Sequence, residues 1–176
     1  MATLAEVLDP GYVSDLGDQG LDEVRARRDE AQRVENGVSY LRRLAQGQLD
    51  IVEHERTRRR EGGDAGDLAD LIGRLPDILA EHGRAPGPGR PPQDLDPAVV
   101  PDELQAELDA IVADADLADV ATLGDAELDA LAERLRGFEA TVSGRRQALH
   151  ACIDTLQDEI KRRYREGEAD VDSLLT

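Results

Sequence analysis

The sequence predicts an all-α protein: two long helices packed as an antiparallel coiled coil, with one or more shorter helices in the connection. Three observations predict it. Apolar residues recur at heptad spacing in two separate stretches, the pattern of a helix that buries one seam. Aromatic residues make up only 2% of the 176 residues and Trp is absent, while 34% are charged. A large mixed core is therefore out of reach, and long helices built on Ala, Leu and Val fit instead. Glycine and proline gather in one central stretch, as they do in a linker.

Residues 1–20 form an N-terminal arm. Pro10, Gly11, Gly17 and Gly20 mark it as loosely structured, although Leu4, Val7, Leu8, Tyr12, Val13 and Leu16 offer short apolar pieces for docking. The first long helix spans 21–61. Glu23 follows Gly20 by three residues, a serviceable start. Val24, Ala31, Val38, Ala45 and Val52 are spaced seven apart, Val34, Leu41 and Leu49 fill alternate positions, and Arg28 and Gln48 interrupt the seam. Gly62 and Gly63 stop the helix.

The connection spans 62–124. It holds a short helix from Ala65 to Leu75 that Pro76 breaks, then a turn to His82. Residues 83–97 are Pro/Gly-rich and read as a flexible linker. A third helix begins near Pro101, with Asp102 and Glu103 where the helix dipole favours anions and Leu104, Leu108 and Ile111 on one face. Residues 114–124 are an acidic connection. The second long helix spans 125–166, with Leu128, Leu131, Leu135, Phe138, Val142, Leu149, Ile153, Leu156 and Ile160 as its stripe, and 167–176 form a C-terminal tail.

The net charge of −18 opposes direct binding of DNA or RNA, since phosphate contacts need Lys and Arg. The charge is unevenly spread. Thirteen acidic residues face one Arg between Asp94 and Arg134, against ten Arg and nine acidic residues between Leu21 and Glu61. An acidic face suits a basic protein partner, such as one that binds DNA, and serves equally as a solvated, solubilising face. The single cysteine, Cys152, excludes an internal disulfide framework. No signal peptide and no apolar run long enough for a membrane span is visible, so a cytoplasmic location is expected.

The most specific signal is a row of five polar residues that occurs twice. Glu35, Ser39, Arg42, Gln46 and Asp50 recur as Glu139, Ser143, Arg146, His150 and Asp154, at an offset of 104 residues. On a helix each row falls within an arc of roughly 80°. The same offset pairs Val34 with Phe138, Val38 with Val142, Ala45 with Leu149, Leu49 with Ile153 and Val52 with Leu156. Each row lies roughly 100° to one side of its seam, on the same side in both helices. Antiparallel packing through the seams then relates the rows by a pseudo-two-fold axis and turns them toward a shared groove.

The row holds the groups a guanine nucleotide needs. Arg can bond guanine O6 and N7 together, bind phosphate, or stack on a base. A carboxylate can accept the adjacent N–H donors of guanine's Watson–Crick edge, and Ser and Gln adapt to either role. Taken singly, each row is ordinary coiled-coil surface made of i,i+4 pairs. Two copies with aligned seams favour a shared ligand. Catalysis has no comparable signal, because the rows bring no activated nucleophile and His54, His82 and His150 lack metal spacing. His54 reads as surface and Cys152 as a small residue at the core edge. The basic clusters Arg56, Arg58, Arg59, Arg60 and Lys161, Arg162, Arg163, Arg165 suit the C-terminal dipoles of their helices, and offer steering to an anionic ligand.

The doubled Glu-x3-Ser-x2-Arg-x3-Gln-x3-Asp pattern resembles the cyclic di-GMP signature of the RsiG family, the anti-sigma factors of sporulating actinobacteria. The stretches Leu21 to Arg28, Val38 to Leu44 and Leu49 to Val52 resemble it too. The resemblance implies an antiparallel coiled coil that grips a dimer of cyclic di-GMP. With ligand bound it implies sequestration of a flagellar-like sigma factor of WhiG type, so that the protein controls transcription and sporulation without being an enzyme. By the same resemblance Glu35, Ser39, Arg42, Gln46 and Asp50 form one half of the site, and Glu139, Ser143, Arg146 and Asp154 the other. His150 departs from the family's Gln; it donates and accepts as Gln does, but can also take a charge near neutral pH. The acidic region from Asp94 to Asp129 is the expected partner surface, with Leu104, Leu108 and Ile111 as its apolar anchor. The competing reading is a coiled-coil scaffold or interaction protein with no small ligand.

Overall fold

The computed structural model describes residues 2–62, 99–113 and 117–167, and all regular structure within them is helical. The expected helix from Ala65 to Leu75, the 83–97 linker and the tail beyond 167 lie outside the described residues.

Two long helices dominate: α2, Leu21–Arg60, and α4, Asp125–Glu166. At 1.5 Å per residue each is about 60 Å long. Each opens on a glycine, Gly20 or Gly124, with acids in the first turn and arginines in the last. The Gly124 N–H donates to Glu127 at 2.7 Å. Gly62 and Gly167 close the ends with φ of 71° and 72°, the left-handed conformation a side chain disfavours.

The heptad seam forms the core between them. Val24, Ala31, Val34, Val38, Leu41, Ala45 and Val52 of α2 are buried against Leu128, Leu131, Leu135, Phe138, Val142, Leu149, Ile153 and Leu156 of α4. Leu49 and Ile160 are partly buried at its margin. Cross-helix contacts run in opposite senses: Arg25 of α2 reaches Tyr164 of α4, Arg42 reaches Glu139, and Arg59 reaches Asp125. The start of one helix therefore lies beside the end of the other.

One flank of this pair is covered. Gly37 lies on the far side of the seam from the Glu35 row. A Cβ at Gly37 would overlap the Val99 carbonyl, so glycine is what lets the Val99–Val100 backbone rest on α2. That segment leads into helix α3, Asp102–Val112, whose Leu104, Leu108 and Ile111 are 1%, 1% and 8% exposed. These three side chains fill the chain's own core. They are not available to anchor a partner while α3 is docked, which corrects the role expected for them. The Arg134 guanidinium donates to the Ala110 carbonyl at 2.8 Å and caps α3.

The N-terminal arm is ordered, contrary to its glycine-based reading. Thr3 and Glu6 form a capping box that starts helix α1, Leu4–Leu8, and two short 3-10 turns follow at Pro10–Val13 and Leu16–Asp18. Leu4, Val7 and Leu16 are buried in the core. The Tyr12 hydroxyl donates to the Arg27 carbonyl and Arg27 returns a bond to the Tyr12 carbonyl, each at 2.9 Å. Burial holds the Tyr12 phenol protonated, its pKa pushed up to about 12.

The 104-residue repeat extends to staples at both ends of the pair. Glu55 accepts from Arg58 and Arg59, and Glu159 accepts from Arg162 and Arg163. Arg59 also reaches the Ala121 carbonyl, in the 3-10 turn that enters α4. Arg163, only 6% exposed, reaches the Leu16 and Gln19 carbonyls, in the segment that enters α2. Each helix end thus clamps the lead-in to the other helix. The arginines hold both carboxyls down at about 2, by charge-assisted hydrogen bonds from Arg58 and Arg59 on Glu55 and from Arg162 and Arg163 on Glu159.

Candidate functional site

The polar rows occupy the other flank, midway along the helix pair. The seam burial that fixes the distance between α2 and α4 brings the rows within hydrogen-bond reach of each other. Glu35 is 5% exposed. Its Oε1 accepts from Ser39 Oγ at 2.6 Å and from Arg146 Nε at 3.0 Å, and His150 Nε2 lies 3.2 Å from the same oxygen. Arg146 Nε also donates to Ser39 Oγ at 2.9 Å.

The second cluster repeats the first with the helices exchanged. Glu139 Oε1 accepts from Ser143 Oγ at 2.9 Å, from Gln46 Nε2 at 3.1 Å and from Arg42 Nη1 at 3.5 Å. In both clusters the Glu and Ser come from one helix, while the Arg and its follower, His150 or Gln46, come from the other. The chain therefore groups Glu35, Ser39, Arg146 and His150 together, and Glu139, Ser143, Arg42 and Gln46 together. The sequence offset had linked each row along its own helix. The reciprocity is what a two-fold relation between the rows requires.

Asp50 and Asp154 stand apart from this. Asp50 is half-buried and Asp154 exposed, and neither has a hydrogen bond or ion pair among the described residues. They lie one helical turn beyond Gln46 and His150, at the outer edges of the clusters, with free acceptor oxygens. The arginines and His150 keep access to solvent: the side chains of Arg42, Arg146 and His150 are 26%, 38% and 44% exposed. This flank therefore carries solvent-accessible donors on Arg42, Arg146 and His150 and acceptors on Asp50 and Asp154.

The chain matches the RsiG-like family model over residues 10–79 and 114–176. It belongs to the RsiG-like family. The matched segments include both polar rows and the whole of both long helices. No curated protein matches the chain. Membership in the RsiG-like family suggests an anti-sigma role, with a sigma factor as partner, and places the chain in a regulatory family rather than an enzyme family.

One residue of the cluster is absent from the row pattern. Gln32 donates to Glu35 Oε2 at 3.1 Å and to Asn36 Oδ1 at 3.3 Å. Its signal in the sequence was its position three residues before Glu35, on the same helix face. Elsewhere, His54 is half-buried and Cys152 is 9% exposed. Burial pushes the Cys152 thiol up, which keeps it protonated and unreactive. No group of His, Cys, Asp and Glu among the described residues is arranged to hold a metal ion, and no described helix is long and apolar enough to cross a membrane.

Proposed function

We propose that the paired rows bind cyclic di-GMP, as a dimer with one molecule to each cluster. We further propose that the ligand-bound protein sequesters a flagellar-like sigma factor of WhiG type in the cytoplasm, and so controls transcription and sporulation. The observation that carries this reading is the reciprocal crossing of Glu35 with Arg146 and of Glu139 with Arg42. Cyclic di-GMP is itself two-fold symmetric. Each cluster offers a carboxylate for guanine's N1–H and N2–H donors and a guanidinium for its O6 and N7 or for a phosphate.

The chemistry of the exchange supports the reading as well. A carboxylate as buried as Glu35 is costly to leave unpaired. If the ligand took Arg146 away from Glu35, the guanine edge would supply replacement donors to the carboxylate. Both partners of the old ion pair would then remain satisfied. The ligand would sit across an antiparallel coiled coil and fix the angle between its helices. A partner that reads that angle gains affinity when the ligand sets it, and the coupling is reciprocal.

The second reading is a scaffold whose crossing bonds only hold the helices in register. The satisfaction of Glu35 by three hydrogen-bond donors from the protein itself favours it. A pull-down against a WhiG-type sigma factor, with and without cyclic di-GMP, separates the two. The proposal expects capture only with the dinucleotide present. Equal capture under both conditions would leave a constitutive binder.

A further inference from the structure

The two clusters obey one pattern but are not equally closed. Around Glu35, hydrogen-bond donors reach both carboxylate oxygens, Ser39 and Arg146 at Oε1 and Gln32 at Oε2, and His150 Nε2 lies 3.2 Å from Oε1. Around Glu139, all three donors crowd onto Oε1, and among the described residues none reaches Oε2. The glutamates differ in exposure to match, with side chains 7% and 25% exposed. The arginines differ too. The single Nε–H of Arg146 is shared between Glu35 Oε1 at 3.0 Å and Ser39 Oγ at 2.9 Å. Arg42 engages only through Nη1 at 3.5 Å, and its Nε is buried without a partner.

The sequence shows why. At the 104-residue offset Gln32 corresponds to Arg136, which is turned away to Glu53 and Glu133. Asn36, which steadies the Gln32 amide, corresponds to Ala140, which has nothing to bond with. The extra donor to Glu35 thus sits outside the repeated row and has no counterpart in the other half.

We infer that Gln32 is a positioning residue that latches the Glu35 cluster, so that the Glu139 cluster is the half that opens first to a guanine-and-phosphate ligand. The inference rests on the cyclic di-GMP reading for the identity of that ligand. Binding at the Glu139 cluster displaces one long bond from Arg42 and gives its orphaned Nε a partner. Binding at the Glu35 cluster must break the short, shared bond from the Arg146 Nε–H while Gln32 still holds the carboxylate in place. A hydrogen bond to a charged group is strong enough to separate the two steps by about tenfold in ligand concentration or more.

The arginine Nε–H signals of the 15N-labelled full chain, assigned with Arg42→Lys and Arg146→Lys, report each half separately during a titration with cyclic di-GMP. The Arg42 signal should move at about tenfold lower ligand concentration than the Arg146 signal. Gln32→Ala should bring the two transitions together, and Gln32→Lys, which keeps a donor, should restore the gap. A general loss of stability would shift both signals alike, so the gap is what reads the latch. Coincident transitions in the unaltered chain, or a gap that survives Gln32→Ala, would overturn the inference and leave the ligand reading standing. If neither signal moves at any concentration, the ligand reading fails. Hydrogen exchange of the same Nε–H groups in the free chain then decides the latch. Gln32→Ala should speed exchange several-fold at Arg146 and leave Arg42 unchanged, and an equal response at both would overturn it.

Discussion

On one flank of the α2–α4 seam, Gly37 admits the Val99–Val100 backbone, and α3 closes over the pair with three buried side chains. On the opposite flank the same two helices present Glu35, Arg146, Glu139 and Arg42 to one another, with no third layer above them among the described residues. The covered flank joins its layers by apolar burial, with Arg59 and Arg163 stapling the lead-in segments at the ends. The open flank joins its helices through exchangeable hydrogen bonds. Burial of Leu104 or Leu108 has no alternative partner as good as the core, whereas every bond in the polar clusters has an equivalent that a nucleotide could supply. On the cyclic di-GMP reading, stability and recognition are separated by flank, and substitutions should sort the same way.

The largest effect should come from the covered flank. Leu108→Ala removes a side chain that is 1% exposed and should cost about 2–5 kcal/mol, the range for a large-to-small change in a packed core. Chemical denaturation measures this, and cyclic di-GMP affinity under native conditions should change little. A loss of affinity matching the loss of stability would show that the flanks are coupled.

Next in size are the arginines of the open flank. Arg42→Ala and Arg146→Ala should each weaken cyclic di-GMP binding by more than about 1.5 kcal/mol, the lower bound for a hydrogen bond to a charged group. Circular dichroism should remain helical, because both residues flank the seam. Loss of helix in step with loss of binding would make the rows structural and favour the scaffold reading.

The smallest effect is acid sensitivity of the staples. Glu55 and Glu159 are held at about 2, below the ordinary carboxylate value near 4.3. A carboxyl depressed on folding stabilises the native state fully above its unfolded pKa, and that contribution fades as pH falls toward the folded value. Thermal midpoints should therefore decline as pH drops from about 4.5 toward 2, and Glu55→Gln should flatten the decline. Both carboxylates lie on the covered side of the seam, so amide protection in the turn at Leu117–Thr122 should be lost early in that range.

Much of this architecture was legible in the sequence. The seam residues could be named because heptad spacing has one structural solution, and glycines with charged first and last turns marked the helix ends to within a residue or two. The ten row residues were legible as a repeat. What periodicity does not carry is the register between two helices, so the grouping of Glu35 with Arg146 rather than Arg42 emerges only when the helices are set side by side. The same limit hid the staples: Glu55, Arg58 and Arg59 repeat at Glu159, Arg162 and Arg163, but a basic run at a helix end already has a sufficient explanation in the dipole. Leu104, Leu108 and Ile111 show a further limit. An amphipathic helix announces an apolar face, and its sequence is silent on whether that face meets its own chain or another.

The account's central claim is that the open flank is a guanine dinucleotide site, and calorimetry tests it most directly. Titration of the purified chain with cyclic di-GMP and, in parallel, with cyclic di-AMP compares ligands that share a phosphate backbone and differ in the base edge. The account predicts binding of cyclic di-GMP at two molecules per chain and a clear preference over cyclic di-AMP, whose bases lack the N1–H and N2–H donors that Glu35 and Glu139 would accept. Equal affinity for the two dinucleotides, or no heat from either, would contradict it.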